Sequence, residues 1–273
     1  MQGKQDWQVA WREETGRQVN RIGRWYGVKN KKWKIAGILL GCLLLIIAVI
    51  LGSIKLYRVK KARESGILLA FDDYNPENWS RYFDFFEQQG VSVTFFVSLE
   101  APTDFCFEAM ERGHDIGFHT VSHKNVLELS EEEVQQQVID PIERFRQSGI
   151  ELSSFAYPYG GHNDATDEKL LAYYKVIRGA YFYEVHSKAD LRKGYVDAFP
   201  IDNHYLADDD EFRKQIDAIL KELSENVGAV SCLYTHSIGG EEWGITEEHL
   251  QYLIERAKEL GLQFYTFREL QEE

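Results

Sequence analysis

From Gly66 onward the chain alternates short apolar runs with longer amphipathic stretches. The runs are Ile67–Phe71, Val91–Val97, Ile116–Phe118, Ser154–Tyr157, Val176–Phe182, Ala198–Ile201, Ala229–Thr235 and Leu262–Phe267. Such runs predict buried strands. Between them the apolar spacing changes to three and four, which predicts helices. Residues 209–226 and 246–260 show this plainly. The second does so through Leu250, Leu253, Ile254, Ala257 and Leu260, with Gly261 as its stop. Ser130 with Glu133 reads as a capping box that opens a helix through Val134, Val138, Ile142 and Phe145. Pro141 should kink or restart that helix, because proline has no N–H and crowds the preceding turn. Repeated strand–helix units over about 200 residues predict an α/β fold with a parallel sheet, open or closed into a barrel. Asp72, Asp73, His119, Tyr157 and His236 each follow an apolar run directly. Polar residues at the C-terminal ends of several strands favour the barrel. An open doubly wound sheet is the alternative, although no glycine-rich phosphate loop follows the first run.

The N-terminal quarter follows another pattern. Residues 35–54 (IAGILLGCLLLIIAVILGSI) contain no charge and match the length of a spanning helix. Trp33 and Tyr57 flank them, where amphipathic rings favour the headgroup layer. A cleaved signal peptide is the rival reading, but its apolar core is normally shorter and its basic start briefer. The division expected is a basic cytoplasmic tail over 1–34, a transmembrane anchor over 35–54, a linker over 55–65 and a catalytic domain over 66–273. Within the tail, Trp7 and Trp11 lie one helical turn apart, which suits an interfacial helix as well as a disordered basic tail. Residues 15–34 carry seven Lys or Arg and no acid, and residues 55–63 carry five. The positive-inside rule then places the N-terminus in the cytoplasm and the large domain outside the cell membrane.

Charge divides at the same place. Residues 1–63 hold 14 Lys or Arg against 3 Asp or Glu, a balance of +11. Residues 64–273 hold 17 against 41, a balance of −24. An acidic domain argues against nucleic acid and against a strongly anionic polymer as partners, and it is compatible with a neutral or cationic glycan. Solubility is the plainer explanation. Cysteine is sparse: Cys42 lies in the apolar segment, and Cys106 and Cys232 sit in apolar surroundings that suit buried thiols. No cysteine-rich zinc pattern exists.

The candidate chemistry lies in four short stretches. Asp72-Asp73 leave their strand in different directions, so one carboxylate can bind a metal while its neighbour faces the substrate water. Taken alone the pair also reads as an acidic turn before Asn75-Pro76. His119 and His123 are spaced so that a helical turn would bring both imidazoles to one side. Neutral imidazole is a common ligand for zinc and similar ions. The interior glutamate of the metalloprotease helix is absent, Thr120, Val121 and Ser122 standing there instead. Two histidines and a carboxylate leave coordination positions open, as a catalytic site needs. A non-haem iron oxygenase uses the same ligand types, but the ligand order and the second acid favour hydrolysis of an amide or ester. Tyr157-Pro158-Tyr159-Gly160 is a restrained loop able to aim a backbone N–H at an oxyanion. His236 closes the apolar run 229–235 and suits protonation of a leaving nitrogen. His114 reads as a structural cap, and His162, His186 and His249 as loop or surface positions. His204, beside Asp202 and Asn203, is a lesser candidate to line the cleft.

Together these stretches resemble the motif series of the polysaccharide deacetylases, the carbohydrate esterase group with the NodB homology domain. Phe71-Asp72-Asp73 resembles the first motif, which implies Asp72 as general base and Asp73 as metal ligand. Gly117-Phe118-His119-Thr120-Val121-Ser122-His123 is similar to the second, which supplies both metal histidines. Phe155-Ala156-Tyr157-Pro158-Tyr159-Gly160 is similar to the third, which implies an oxyanion contact from the Tyr159 N–H. Leu233-Tyr234-Thr235-His236 resembles the last, with His236 as catalytic acid. The resemblance spans about residues 66–270. It implies a distorted barrel of about seven strand–helix units, a divalent metal such as zinc or cobalt, and N-deacetylation of an aminosugar polymer. Three positions depart from the pattern. Tyr74 stands where a glycine is usual, and Ala156 where many members have an arginine that tunes the base. The usual acid–tryptophan ending of the fourth motif is missing, and Asp197 or Asp202 is the candidate to stand in for its acid. The form of the third motif is similar to members that act on exopolysaccharide. The same chemistry on O-acetyl esters or small amides, and a weakly active glycan-binding protein, are the alternatives.

Overall fold

Strand β1 (Gly66–Asp73) sets the plan of the domain. Ile67, Leu69 and Phe71 face outward into a large core shared with the helices. Leu68 and Ala70 face inward, into a smaller cluster with Phe96, Ala156, Cys232 and Tyr234. This is the two-residue period of a strand buried on both faces. The computed structural model describes residues 64–188, 191 and 194–272 and, nearer the N-terminus, residues 14, 15, 17, 18, 20, 21, 25, 40–47 and 49–53.

The remaining strands are β2 (Thr94–Val97), β3 (Asp115–Phe118), β4 (Ser154–Ala156), β5 (Val176–Arg178), β6 (His186–Ser187), β7 (Gly194–Val196), β8 (Ala198–Pro200), β9 (Ala229–Thr235), β10 (Ser237–Ile238), β11 (Gly244–Ile245) and β12 (Gln263–Tyr265). Their main sheet runs β6-β9-β1-β2-β3-β4-β5-β7, with β12 also on β1 and β8 also on β9. All pairs in it are parallel except β6 with β9. β7 extends the β5 side and β8 the β9 side, yet Asp197 alone separates them in the chain. The sheet therefore bends round into a nearly closed barrel. The expected α/β class and barrel-like arrangement are present, and the open doubly wound sheet is not.

Helices coat the outside. Asp209–Glu225 buries Phe212, Ile216, Ile219, Leu220 and Leu223, and Glu247–Glu259 buries Leu250, Leu253, Ile254 and Ala257. The Ser130 capping box forms as expected, with the Glu133 N–H donating to Ser130 Oγ and Glu133 Oε2 accepting from the Ser130 N–H. Pro141 has a more specific effect than a kink. The helix Glu131–Val134 passes through a π-helical turn, Gln135–Ile139, before resuming at Asp140–Gln147. Such turns mark places where the usual ladder is interrupted. Gly117 faces the lumen from β3. A Cβ there would lie 2.4 Å from the Phe96 ring and 2.9 Å from Ser154 Oγ, so only glycine fits.

Several expected elements end early. The run Val91–Val97 is a strand only from Thr94, and Val176–Phe182 only to Arg178, after which Gly179 begins a loop. His186 and His249 are buried rather than on the surface. His249 stacks on Phe212 at 3.9 Å and meets Asp209 at 2.7 Å. His114 is structural: its Nδ1 accepts the Val93 N–H, and burial among Phe83, Phe86 and Phe95 lowers its pKa to about 4. Cys106 and Cys232 are free, buried thiols.

The chain divides into two units, residues 1–61 and 62–273. In the first, residues 40–47 and 49–53 are helical. Among the described residues no helix is long and apolar enough to cross a membrane. Of the expected span 35–54, residues 35–39, 48 and 54 lie outside the described residues, as do most of the tail and nearly all of the linker.

Candidate active site

The sheet register brings the sequence candidates to one end of the barrel. Asp72 and Asp73 pair with Phe96 and Val97 at the end of β2, Phe71 with Thr235 at the end of β9, and Ala156 with Arg178. These are the C-terminal ends of the strands, the face that carries chemistry in barrels of this kind. Asp72 continues the inward series of Leu68 and Ala70, so its carboxylate enters the mouth of the lumen, 3% exposed. Alternation would send Asp73 outward. A left-handed backbone, φ 81, ends the strand there instead and swings its carboxylate toward the histidines.

Asp73 Oδ1 lies 3.5 Å from His119 Nε2 and 3.1 Å from His123 Nε2. One ligand atom from each of the three falls within 4.8 Å of the others. His119 Nδ1 donates to the Ala156 carbonyl at 2.8 Å, which fixes the tautomer and turns the Nε2 lone pair to the site. Burial and the neighbouring His119 lower the His123 pKa, toward the neutral ring that a metal requires. Burial alone would raise the Asp73 pKa, but the close imidazole of His119, with His236 and His123, brings it down to about 2. Asp73 Oδ1 is buried with no hydrogen-bond partner among the described residues, although two imidazole nitrogens face it. An oxygen and two nitrogens converging on one point, with no proton shared in a hydrogen bond, fit a divalent cation.

Beside Asp72, the candidate base, lies a residue that the motifs did not point to. Arg178, the inward residue at the end of β5, donates from Nη2 to Asp72 Oδ2 and from Nη1 to the Gly179 carbonyl at 2.9 Å. Its guanidinium lies 4.9 Å from the Phe96 ring and 4.8 Å from the Tyr234 ring. The arginine that Ala156 lacks is therefore supplied from the neighbouring strand. An arginine within the apolar run 176–182 was the available signal.

The acid position resolves the choice between Asp197 and Asp202. Asp202 is fully buried and meets His236 Nδ1 at 3.2 Å through Oδ2. Its Oδ1 accepts from Thr235 Oγ1 at 2.6 Å and from the His236 N–H at 3.3 Å. Asp197 instead accepts from the Tyr195 hydroxyl at 2.6 Å. Burial lowers the His236 pKa, but the hydrogen bond and charge of Asp202, with Asp72 and Asp73, outweigh it and leave the pKa raised. In the metal-free protein His236 should therefore titrate above 6.5, and Asp202→Asn should move it down, as read by NMR of the imidazole. The paired, protonated ring also contributes stability that is present below about pH 6.5 and lost as pH rises through the folded-state pKa. An unchanged titration in Asp202→Asn would sink this assignment.

Tyr159 has φ 59 and ψ 12, a left-handed bend after Pro158. The next two N–H groups are engaged, Gly160 with the Tyr157 carbonyl and Gly161 with that of Pro158. The Tyr159 ring packs 4.6 Å from that of His123. Among the described residues five non-glycine positions have positive φ: Asp73, Thr120, His123, Tyr159 and Tyr181. Four of them line the same cavity, of about 360 Å³, and Thr120 adjoins His119. Strained backbone gathered at one place is a mark of a functional site.

Aromatic rings that the motif reading passed over form a wall of this cavity. Tyr181 and Tyr205 meet at 6.2 Å, Tyr205 and Trp243 at 6.1 Å, and Trp243 and His236 at 6.0 Å. His204 stands behind the wall rather than in the cavity, stacked on Trp243 at 4.2 Å and bonded to Glu242 at 3.0 Å. His162 pairs with Asp167. Tyr74 occupies the usual glycine place without disturbing the acids, its hydroxyl bonded to Thr103 Oγ1 at 2.8 Å.

Fold and site define a hydrolase centre at the mouth of a parallel barrel. Residues 59–175 match the family model described as polysaccharide deacetylase. That match covers 117 of the chain's 273 residues and includes Asp72, Asp73, His119, His123 and Tyr159. A chitin deacetylase from Colletotrichum lindemuthianum is similar in structure, with 21% identity, a TM-score of 0.55, and 76% of this chain and 88% of that one covered. A mutant of a peptidoglycan deacetylase from Bacillus subtilis has 19% identity and a TM-score of 0.50, over 77% of this chain and 92% of that one. An acetyl xylan esterase from Clostridium thermocellum, in complex with a cobalt ion, has 18% identity and a TM-score of 0.52, over 75% and 89%. No curated protein matches the sequence.

Proposed function

We propose that this protein is a membrane-anchored, metal-dependent deacetylase that removes N-acetyl groups from an extracellular aminosugar polymer. The observation that carries the reading is the buried, unpartnered Asp73 Oδ1 facing His119 and His123, with Asp72 beside it. When bound there, a divalent ion, zinc in this reading, supplies polarisation of the acetyl carbonyl and activation of water. Asp72, held by Arg178, takes the proton of the attacking water as its oxygen bonds to the carbonyl carbon. The Tyr159 N–H donates to the oxyanion of the tetrahedral state. His236, oriented by Asp202, gives its proton to the sugar nitrogen as the carbon–nitrogen bond breaks. Acetate and a free amine leave.

The aromatic wall supports a pyranose substrate, because ring faces offer apolar surface to the C–H face of a sugar. Exposed Leu40, Leu43, Leu44 and Ile46 on the N-terminal helical residues, and basic residues on both flanks of 35–54, support an anchor with the catalytic domain outside. The cobalt-bound acetyl xylan esterase keeps O-acetyl hydrolysis open as a second reading. A pure glycan-binding role loses its motive, since Arg178 and Asp202 occupy the places that the altered motifs left unfilled.

The test is acetate release by the whole protein in detergent from peptidoglycan, N-acetylglucosamine oligomers and acetyl xylan, metal-stripped and then with zinc or cobalt restored. Metal-dependent release from the amide substrates is expected. Release from the ester alone would select the second reading, and no release from any of them would overturn both.

A further inference from the structure

The loop from His119 to His123 is held in an unusual shape. Thr120 has φ 59 and His123 φ 52, neither being glycine. Such conformations persist only where the surroundings over-determine them. The two imidazoles differ in what fixes them. His119 is tied through its own ring to the Ala156 carbonyl. The His123 ring meets Asp73 through Nε2 and packs between the rings of His119 and Tyr159, without a carbonyl bond like that of His119, so its place depends more on the backbone that carries it.

The ends of the loop are tied by the Ser98 hydroxyl, which donates to the His119 carbonyl at 2.9 Å, and by the Lys124 N–H, which donates to Thr120 Oγ1 at 3.1 Å, whereas its middle, Val121 and Ser122, is held by one residue. The Val121 N–H donates to the Gln137 carbonyl at 3.0 Å. The Ser122 N–H donates to Gln137 Oε1 at 3.1 Å, and Ser122 Oγ donates to the same oxygen at 2.9 Å. The helix itself leaves the Gln137 carbonyl available. Its α-helical partner would be the N–H of residue 141, which is proline, and the π-helical turn Gln135–Ile139 lies between. The break in the helix thus exposes one carbonyl and one side-chain amide to the metal-ligand loop. Gln137 itself is not among the residues that line the cavity.

We propose that Gln137 is the positioning residue that sets His123 for metal binding, acting through the Val121–Ser122 backbone. The proposal rests on the reading of Asp73, His119 and His123 as a metal site. Supporting groups of this kind commonly change metal affinity by about 10–100-fold when removed.

The experiment measures zinc affinity of the whole protein by competition with a chromogenic chelator. The cobalt absorption spectrum and the melting temperature of the metal-free protein are read alongside. Gln137→Ala should weaken affinity by about 10–100-fold and alter the cobalt bands. Its metal-free melting temperature should move no more than that of Gln136→Ala on the same helix. Gln137→Glu keeps an oxygen in place to accept both Ser122 bonds and should restore affinity. Ser122→Ala removes one bond only and should weaken affinity less, in the same direction, which keeps the test open if Gln137→Ala does not fold. Wild-type affinity in Gln137→Ala, or equal loss in Gln137→Ala and Gln137→Glu, would overturn the proposal. A wild-type protein that binds no divalent ion would instead overturn the metal-site reading and take this proposal with it.

Discussion

Asp72→Asn should lower kcat on an N-acetylated oligomer by about 10²–10⁴-fold, the range of general-base catalysis, and leave the divalent ion bound. The substitution keeps shape and keeps an oxygen to accept from Arg178, but it removes the group proposed to take the proton. Its carboxylate is not among the three groups that converge on the metal position. His123→Ala should give the opposite pairing, with ion and turnover lost together. Equilibrium dialysis with zinc, run beside steady-state acetate release, separates the two. An Asp72→Asn protein with wild-type turnover would remove Asp72 from the base position, and one without bound ion would place Asp72 among the ligands.

Arg178→Met has the largest expected effect on stability. Arg178 and Asp72 are 1% and 3% exposed, so the substitution leaves a buried carboxylate without its counter-charge. Breaking one side of such a pair costs about 3–5 kcal/mol, more than an exposed pair is worth. Two planar contacts, over Phe96 and Tyr234, are lost as well. Methionine fills much of the space, so the cost is mainly electrostatic. The double variant Arg178→Met with Asp72→Asn buries no charge and should regain most of the loss in urea unfolding at neutral pH. If the single and double variants unfold alike, the pair is not a stabilising unit, and packing explains Arg178.

The sequence made the barrel and the candidate ligand set legible because both depend on local signals. A strand exit followed by an acid or histidine is visible in a few residues, and Asp73, His119 and His123 converge as their order suggested. The supporting groups were hidden because they depend on lateral neighbours in the sheet. Arg178 belongs to the site only because β5 lies beside β4, with Ala156 and Arg178 in register. A guanidinium can reach one lumen position from either strand, so a gap in one motif carries no weight until the neighbouring strand is known. Asp202 and Asp197 are equivalent in sequence and differ only in where their loops pass. Trp243 and Tyr205 meet across separate loops, which no periodicity encodes. His249 was misplaced because a histidine one turn into a helix looks exposed until the helix on its far side, with Phe212, is known.

The central place of β1 also governs how this domain can be made. β1 is the first strand of the domain to be synthesised, yet its partners are β2, β9 and β12. Gly66 aligns with Val230 on one side and Gln263 on the other. The N-terminal half of the strand thus has no neighbour until nearly the whole domain exists. Closing contacts across so much chain is slow, and an apolar strand left unpaired in the interval is a site for aggregation. The seam at Asp197 adds to this, since β8 has nothing to pair with until β9 appears. Synthesis and folding are therefore separated in time: the chain must reach β12 before its first strand is covered, and even a short C-terminal truncation would uncover it again.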